Sequence, residues 1–263
     1  MSELRLQWMR PGEIVAERQR CPVVYLPVGP LEWHGPHLPI GVDPLHAEAV
    51  ALRLAGEVGG VVHPTVYWGT ERERPPSLLR DLGFAGDEWI VGMDFPGNPV
   101  RSYYYPEETL GLIVRFMLEA LAAQGYRVIV LVNGHGALNQ VAVLQRLAAE
   151  FTERGPAHIL LAFTLDASVD DDVGHATLTE TATMMALDRS RVDLGALPAN
   201  GPLYSAKWAI VDGKTFQGEP THDHAVRVEN DPRVATPGLG QKHLEMTVSR
   251  LASVIRQVAA SYT

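Results

Sequence analysis

Residues 23–44 read VVYLPVGPLEWHGPHLPIGVDP, and a change of character inside them decides the fold. Val23 to Val28 is an apolar run, the pattern of a buried strand. Beyond it, glycines and prolines recur too densely for a regular helix. Glu32 and His34 stand two apart, so on extended backbone both side chains point to the same side. A loop this stiff has little entropy left to lose on binding. Asp43 precedes Pro44 and an alanine- and leucine-rich segment, the order of an N-cap, an N1 proline and a helix to about Val58, ended by Gly59-Gly60. A carboxylate held there has two oxygens with which to bridge a pair of divalent ions. Val61 to Tyr67 reads as a second strand, so strand, helix and strand form a βαβ unit.

The same alternation continues downstream. Residues 107–124 carry a helical apolar stripe (Leu110, Ile113, Val114, Met117, Leu121) closed by Gly125. Arg127 to Val132 is a buried strand that delivers Asn133-Gly134-His135-Gly136. A helix follows from Leu138 to about Phe151, then a strand from His158 to Leu165 and a helix from about Thr177 to Asp188. Thr236-Pro237 reads as N-cap and N1 of a terminal helix to about Ala260. Residues 3–20 suggest a short amphipathic helix interrupted at Pro11-Gly12. With no Ser/Gly linker or charge run dividing it, the chain reads as a single domain over residues 1–263. Residues 68–106 stand apart: rich in proline and glycine, with Trp68, Trp89 and Tyr103-Tyr104-Tyr105, they suit a pocket lining or a subunit contact.

A formal charge of −9 argues against nucleic acid or an anionic membrane as partner. The only cysteine, Cys21, excludes an internal disulfide and reads as a buried thiol in a reducing, cytoplasmic setting. No apolar run approaches a membrane span, and MSELRLQWMRPGE has no signal-peptide pattern.

In doubly wound sheets ligands sit beyond the carboxyl ends of strands. Glu32, His34 and His135 all lie at such ends. With Asp43 and a later glutamate, they make a set of two histidines and three carboxylates, which suits two borderline divalent ions such as zinc or manganese. His175, just before the helix that brings in Glu180, is a further candidate. His37, His46 and His63 read as structural or supporting, and His158 as a core or strand-end histidine. His222, Asp223 and His224 form either a metal site or, more in keeping with their surroundings, a solvated loop. Asn139 can contact substrate; Asn133 can do so or satisfy its own turn. No G-x-S-x-G, P-loop or dinucleotide fingerprint is present, which leaves metal-activated water as the natural chemistry.

Glu32-Trp33-His34-Gly35-Pro36-His37-Leu38-Pro39 followed by Asp43 resembles the E-x-H-G-x-H-L-P…D signature of the creatininase (creatinine amidohydrolase) family. Asn133-Gly134-His135-Gly136 resembles its second motif, and His175-Ala176 with Glu180-Thr181 its third, H-A-G-E-x-E-T-S. Asn230-Asp231-Pro232 through Ala235-Thr236 to Gly240 and Lys242 resembles the stretch before its last helix. The resemblance implies a three-layer α/β/α sandwich with a mainly parallel central sheet and a two-metal site. Glu32, Asp43 and His135 would hold one ion, and His34, Asp43 and Glu180 the other, with Asp43 bridging. Zinc is the first expectation, manganese or iron the alternatives. Activated water would attack an amide carbon, with His175 carrying the proton to the leaving nitrogen; His175 and Glu180 are the catalytic pair. A small cyclic amide or formamide is the implied substrate, and a homo-oligomer, such as a hexamer, the implied assembly. A formamidopyrimidine-type deformylase, a processing peptidase and a non-catalytic metal-binding or assembly protein are the alternatives. A phosphate-bearing substrate would look to Arg72, Arg74, Arg80 and Arg101. The chain departs from the family pattern at Thr177 and Leu178, at Asn139, and at Trp33, which stands where glutamine is usual and is expected to narrow the pocket.

Overall fold

A computed structural model describes residues 3–165, 174–205, 210–211 and 225–262. Four parallel strands form its central sheet: β1 (Val23–Val28), β2 (Val61–Val62), β3 (Val128–Asn133) and β4 (His158–Phe163), in the order β2-β1-β3-β4. The helices are α1 (Pro11–Arg20), α2 (Val42–Val58), α3 (Pro76–Asp81), α4 (Glu107–Ala123), α5 (Leu138–Arg154), α6 (Leu178–Asp188) and α7 (Pro237–Ala259). A two-stranded antiparallel ribbon, β5 (Tyr204–Ser205) with β6 (Ile210–Val211), lies apart from the sheet.

Alternation along the strands sorts the core into two layers. Val23, Tyr25, Val128, Val130 and Val132 face Val50 and Leu54 of α2 and Leu244, Val248 and Leu251 of α7. Val24, Leu26, Ile129 and Leu131 face Leu110, Val114 and Leu118 of α4 and Val143, Leu144 and Leu147 of α5. Both faces are covered, which is why β1 and β3 are buried at every position and apolar up to Asn133. The result is the expected α/β/α sandwich.

From β1 the chain turns to β2 on one side, whereas from β3 it turns to β4 on the other. The crevice between the ends of β1 and β3 is therefore a topological switch point, where ligands settle in such sheets. Register aligns Val28 with Asn133 and Asn133 with Phe163, so three strand ends reach the same level.

Some boundaries differ from expectation. Pro11 begins α1 rather than interrupting it, with the Glu13 carboxylate accepting the Arg10 N–H at 2.8 Å. Asp43 is not the N-cap of α2. The helix starts at Val42 with Leu45 N–H bonded to Gly41 O at 3.1 Å, so Asp43 and Pro44 lie in the first turn, where a missing N–H costs nothing. β2 ends at Val62, short of the expected Tyr67: His63 N–H still donates to Tyr25 O at 2.8 Å, and past Pro64 bonding to β1 resumes where Val66 N–H reaches Pro27 O at 2.8 Å. Thr236 caps α7 as expected, accepting from Leu239 N at 3.2 Å. A side chain at Gly240 would place its Cβ 1.9 Å from Ala182 O, so α7 and α6 meet backbone to backbone.

Candidate metal centre

Glu32 and His34 leave the end of β1, His135 leaves β3, Asp43 sits in the first turn of α2, and Glu180 in that of α6. All five are buried and converge at the switch point, with His175 beside them. Asp43 stands in the middle. Its Oδ1 lies 3.1 Å from His34 Nε2, and its Oδ2 lies 3.0 Å from His135 Nδ1. Glu32 Oε2 is 3.1 Å from that same His135 nitrogen, and Glu180 Oε2 is 3.8 Å from His34 Nε2. Glu32, Asp43 and His135 thus make one cluster able to hold an ion, and His34, Asp43 and Glu180 another. A third possible grouping, Glu32, His34 and His175, overlaps both.

The donor set fits divalent ions on a structural test. His34 Nε2, Asp43 Oδ2, Glu32 Oε2 and His135 Nε2 are buried with no hydrogen-bond partner among the described residues. Three of them are donor atoms of the two clusters, and burying such atoms unpaired is costly. Two ligand atoms on one ion at about 2.1 Å lie about 3 Å apart when they subtend a right angle, close to the spacings seen around Asp43. The supporting contacts also suit ligation. His34 Nδ1–H donates to Glu32 O at 2.9 Å, which aims Nε2 at the carboxylates and makes it the atom that would take an ion. Ala176 N–H donates to Glu180 Oε2 at 2.5 Å, from a backbone turn with φ +60°.

Asp43 is held by close backbone approach. A Cβ on Gly134 would lie 2.1 Å from Asp43 O, and one on Gly29 would lie 2.8 Å from Asp43 Cβ. The first glycine of Asn-Gly-His-Gly, Gly134, is therefore required by contact with α2. Asn133 is a turn residue: its Nδ2 donates to His135 O at 2.6 Å and its Oδ1 accepts from Gln140 Nε2 at 2.8 Å.

Protons do in this structure part of what cations would do. Burial opposes charge on His34, but Asp43 and then Glu180 push it up to about 10. His135 also rises, against burial, because of Glu32 and Asp43. Burial raises Glu180 to about 7. Burial and then His34 lower His175 to about 4, so it is neutral at pH 7. His175 Nε2–H donates to Trp33 O at 2.5 Å, so the neutral ring keeps its lone pair on Nδ1, 3.6 Å from Glu32 Oε2.

Glu32, Asp43, His135, His175 and Glu180 open onto a cavity of about 410 Å³, lined also by Arg72, Arg74, Met93, Asn139, Phe163 and Leu165. Arg72 is paired with Glu107 at 2.7 Å, and Arg74 donates to Gly92 O at 2.7 Å. Arg80 and Arg101 do not line this cavity. Nor does Trp33, which packs with Leu78, Leu79, Leu82, Phe84, Ile90, Met93 and Phe95, so it anchors the long segment instead of narrowing the pocket. Leu178 packs beside Val42 and Met185, and Thr177 Oγ1 donates to Gly174 O at 2.8 Å.

His37, read from sequence only as structural or supporting, hydrogen-bonds Thr181 Oγ1 at 3.0 Å and so ties the loop to α6. His46 is buried in α2, and His63 Nδ1 bonds Pro64 O at 2.8 Å. His222, Asp223 and His224 lie outside the described residues. Spacing alone missed Tyr104, whose hydroxyl donates to Glu32 Oε1, and Asn139, whose Nδ2 reaches Thr70 Oγ1 at 3.3 Å and Glu107 Oε1 at 3.2 Å, was recognised without those partners.

Comparison with known proteins gives a consistent result. The family model Creatininase, described as creatinine amidohydrolase, matches residues 7–255. Creatinine amidohydrolase of Pseudomonas putida is 27% identical over 258 residues, covering 89% of each chain. A solved structure described as creatininase Mn superposes with a TM-score of 0.67 at 24% identity, over 97% of this chain and 98% of that one. A creatininase variant of Zn-Zn type gives 0.67 at 24% identity over 98% of each. Among the described residues no helix is long and apolar enough to cross a membrane. With nearly its whole length matched by the family model, the chain belongs to the creatininase family.

Proposed function

We propose that this protein is a dinuclear-metal amidohydrolase that cleaves a C–N bond of a small cyclic amide or formamide. The observation that carries the reading is the division of Asp43: one oxygen faces His34, the other His135. Glu32, Asp43 and His135 would hold one ion, and His34, Asp43 and Glu180 the other. Zinc leads, with manganese or iron as alternatives, since mixed imidazole and carboxylate donors suit all three. Relatives described as manganese and Zn-Zn creatininases support the first two. Bound there, such ions supply Lewis acidity and water activated near neutral pH.

The chain's own residues do the rest. His175 is neutral and presents Nδ1 as its basic atom, with Nε2–H fixed on Trp33 O. It accepts a proton from the attacking water at Nδ1 and returns it to the departing nitrogen. The cavity is of small-molecule size, and the Phe163, Leu165 and Met93 side chains give it apolar walls. Its two guanidinium groups are already engaged by Glu107 and by Gly92 O, which favours an uncharged amide over a phosphate-bearing one.

The test is metal content per subunit, on protein purified without chelator, for wild type and Glu180→Gln. About two ions falling to about one supports the reading. One ion or none in the wild type overturns it.

A further inference from the structure

Tyr104 lies 72 residues from Glu32 in sequence, yet its hydroxyl donates to Glu32 Oε1. That hydroxyl also accepts the Met93 N–H at 3.1 Å. A phenol carries one hydrogen, so with the amide on its lone pair the hydrogen is committed to the carboxylate. Gly92 packs bare backbone against the ring; a Cβ there would lie 2.6 Å from the Tyr104 hydroxyl oxygen. The chain around Tyr104 is stitched to the ligand loop. Tyr103 N–H donates to Leu31 O at 2.8 Å, Trp33 N–H to Ser102 Oγ at 3.0 Å, and Ser102 N–H to Asp94 Oδ1 at 2.6 Å. Glu32 Oε1 is thereby occupied, while Oε2 has no hydrogen-bond partner among the described residues and faces His135 Nδ1 at 3.1 Å.

We propose that Tyr104 is a positioning residue that holds Glu32 to single-oxygen coordination through Oε2, and so sets the affinity and geometry of the ion bound by Glu32, Asp43 and His135. The inference rests on the dinuclear reading. Without the hydroxyl, Oε1 is buried and unpaired, and the carboxylate is free to turn and chelate with both oxygens. Groups that orient a ligand from behind it are worth about 10–100-fold in metal affinity.

The experiment is a Co(II) titration of the metal-free protein, followed by visible absorption, on wild type, Tyr104→Phe, Glu32→Gln and the double variant. Tyr105→Phe is the control, because its ring stacks on Trp68 at 4.4 Å. Tyr104→Phe is expected to weaken one of two Co(II) sites by about tenfold or more and to change its absorption bands, with the other site unmoved. Because Tyr104 acts through Glu32, the double variant is expected to bind like Glu32→Gln alone. Wild-type affinity and bands in Tyr104→Phe, or losses that add in the double variant, overturn the inference while the dinuclear reading stands. A wild type that takes up no Co(II) overturns both. If Tyr104→Phe loses its cooperative melt, difluorotyrosine at position 104 replaces it, keeping the ring and changing only donor strength. A change in absorption bands confined to one of the two Co(II) sites is then required, and bands unchanged at both overturn the inference.

Discussion

The strand ends and the segment 70–105 both reach Glu32, but they hold it in different ways. At the ends of β1 and β3, ligands are presented by a few residues of loop on fully buried strands, and Gly29 and Gly134 let the backbone of α2 close against them. The outer segment has one short helix, α3, and its own small core of Trp33, Leu79, Leu82, Phe84 and Ile90. It contributes no member of the two ligand clusters. What it contributes is the other side of a ligand, the Tyr104 hydroxyl on Glu32 Oε1. The rigid region decides where the donor atoms are, and the outer segment decides how one of them is turned.

The largest expected effect breaks the rigid half. Asp43→Ala removes the residue shared by both clusters, and its loss is expected to empty both sites. Turnover on a panel of cyclic amides and formamides should fall by about 10³-fold or more, several kcal/mol of transition-state stabilisation. A variant that keeps wild-type turnover would show that the catalytic centre lies elsewhere.

Next comes a residue outside the two clusters. His175→Gln is expected to lose about 10²-fold or more in kcat while metal content stays at the wild-type level, because the proton carrier and the ligands are separate groups. Loss of an ion in this variant would instead make His175 a ligand, as its grouping with Glu32 and His34 allows.

Much of the first region was legible in the sequence and little of the second, for a physical reason. Glu32-x-His34, Asp43 before Pro44, and the turn after β3 are local patterns whose geometry follows from strand, turn and helix rules. Even there, the boundary at Asp43 was misplaced by two residues, because Gly41 closes the helix earlier than the Asp-Pro pair suggests. Tyr104 carried no such signal. Its partner is distant in the chain, and a tyrosine among tyrosines reads equally as pocket lining or subunit contact. Trp33 was misjudged for the same reason: only the folded segment shows that its ring belongs with Leu79 and Phe84 and not with the cavity.

Acidity offers a smaller, graded effect. In the metal-free protein Asp43 and Glu180, working against burial, hold His34 near 10, so at pH 7 an incoming ion must displace its proton. Apparent metal affinity is therefore expected to rise with pH, about tenfold per unit for each proton released. Stability of the metal-free protein runs the other way. The folded pKa of His34 exceeds its unfolded value, so its contribution is full below about 6.5 and is lost as pH rises toward 10. His37, His46 and His175, all lowered to about 4 chiefly by burial, are neutral in both states above 6.5 and drop out of that window. Metal-free Tm is expected to fall between pH 7 and 9.5 while metal affinity climbs. Two curves that rise together would contradict the proton-for-metal exchange.

The smallest expected effect on chemistry tests whether the outer segment is as separable as its packing suggests. Leu79 is 1% exposed, inside the small core that Trp33 anchors and away from every ligand. Leu79→Ala leaves a cavity there at a cost of about 2–4 kcal/mol, which falls on the segment before it falls on the sheet. Faster hydrogen exchange is expected across residues 75–98, with little change in β1 and β3. Metal content should hold, and turnover should change by no more than about threefold, because Tyr104 keeps its bond to Glu32 through its chain neighbours, Tyr103 tied to Leu31 and Tyr105 to Gly69. If Leu79→Ala instead releases an ion, the segment and the strand ends are one cooperative unit, and Glu32 depends on the whole of the outer core, not on one hydroxyl.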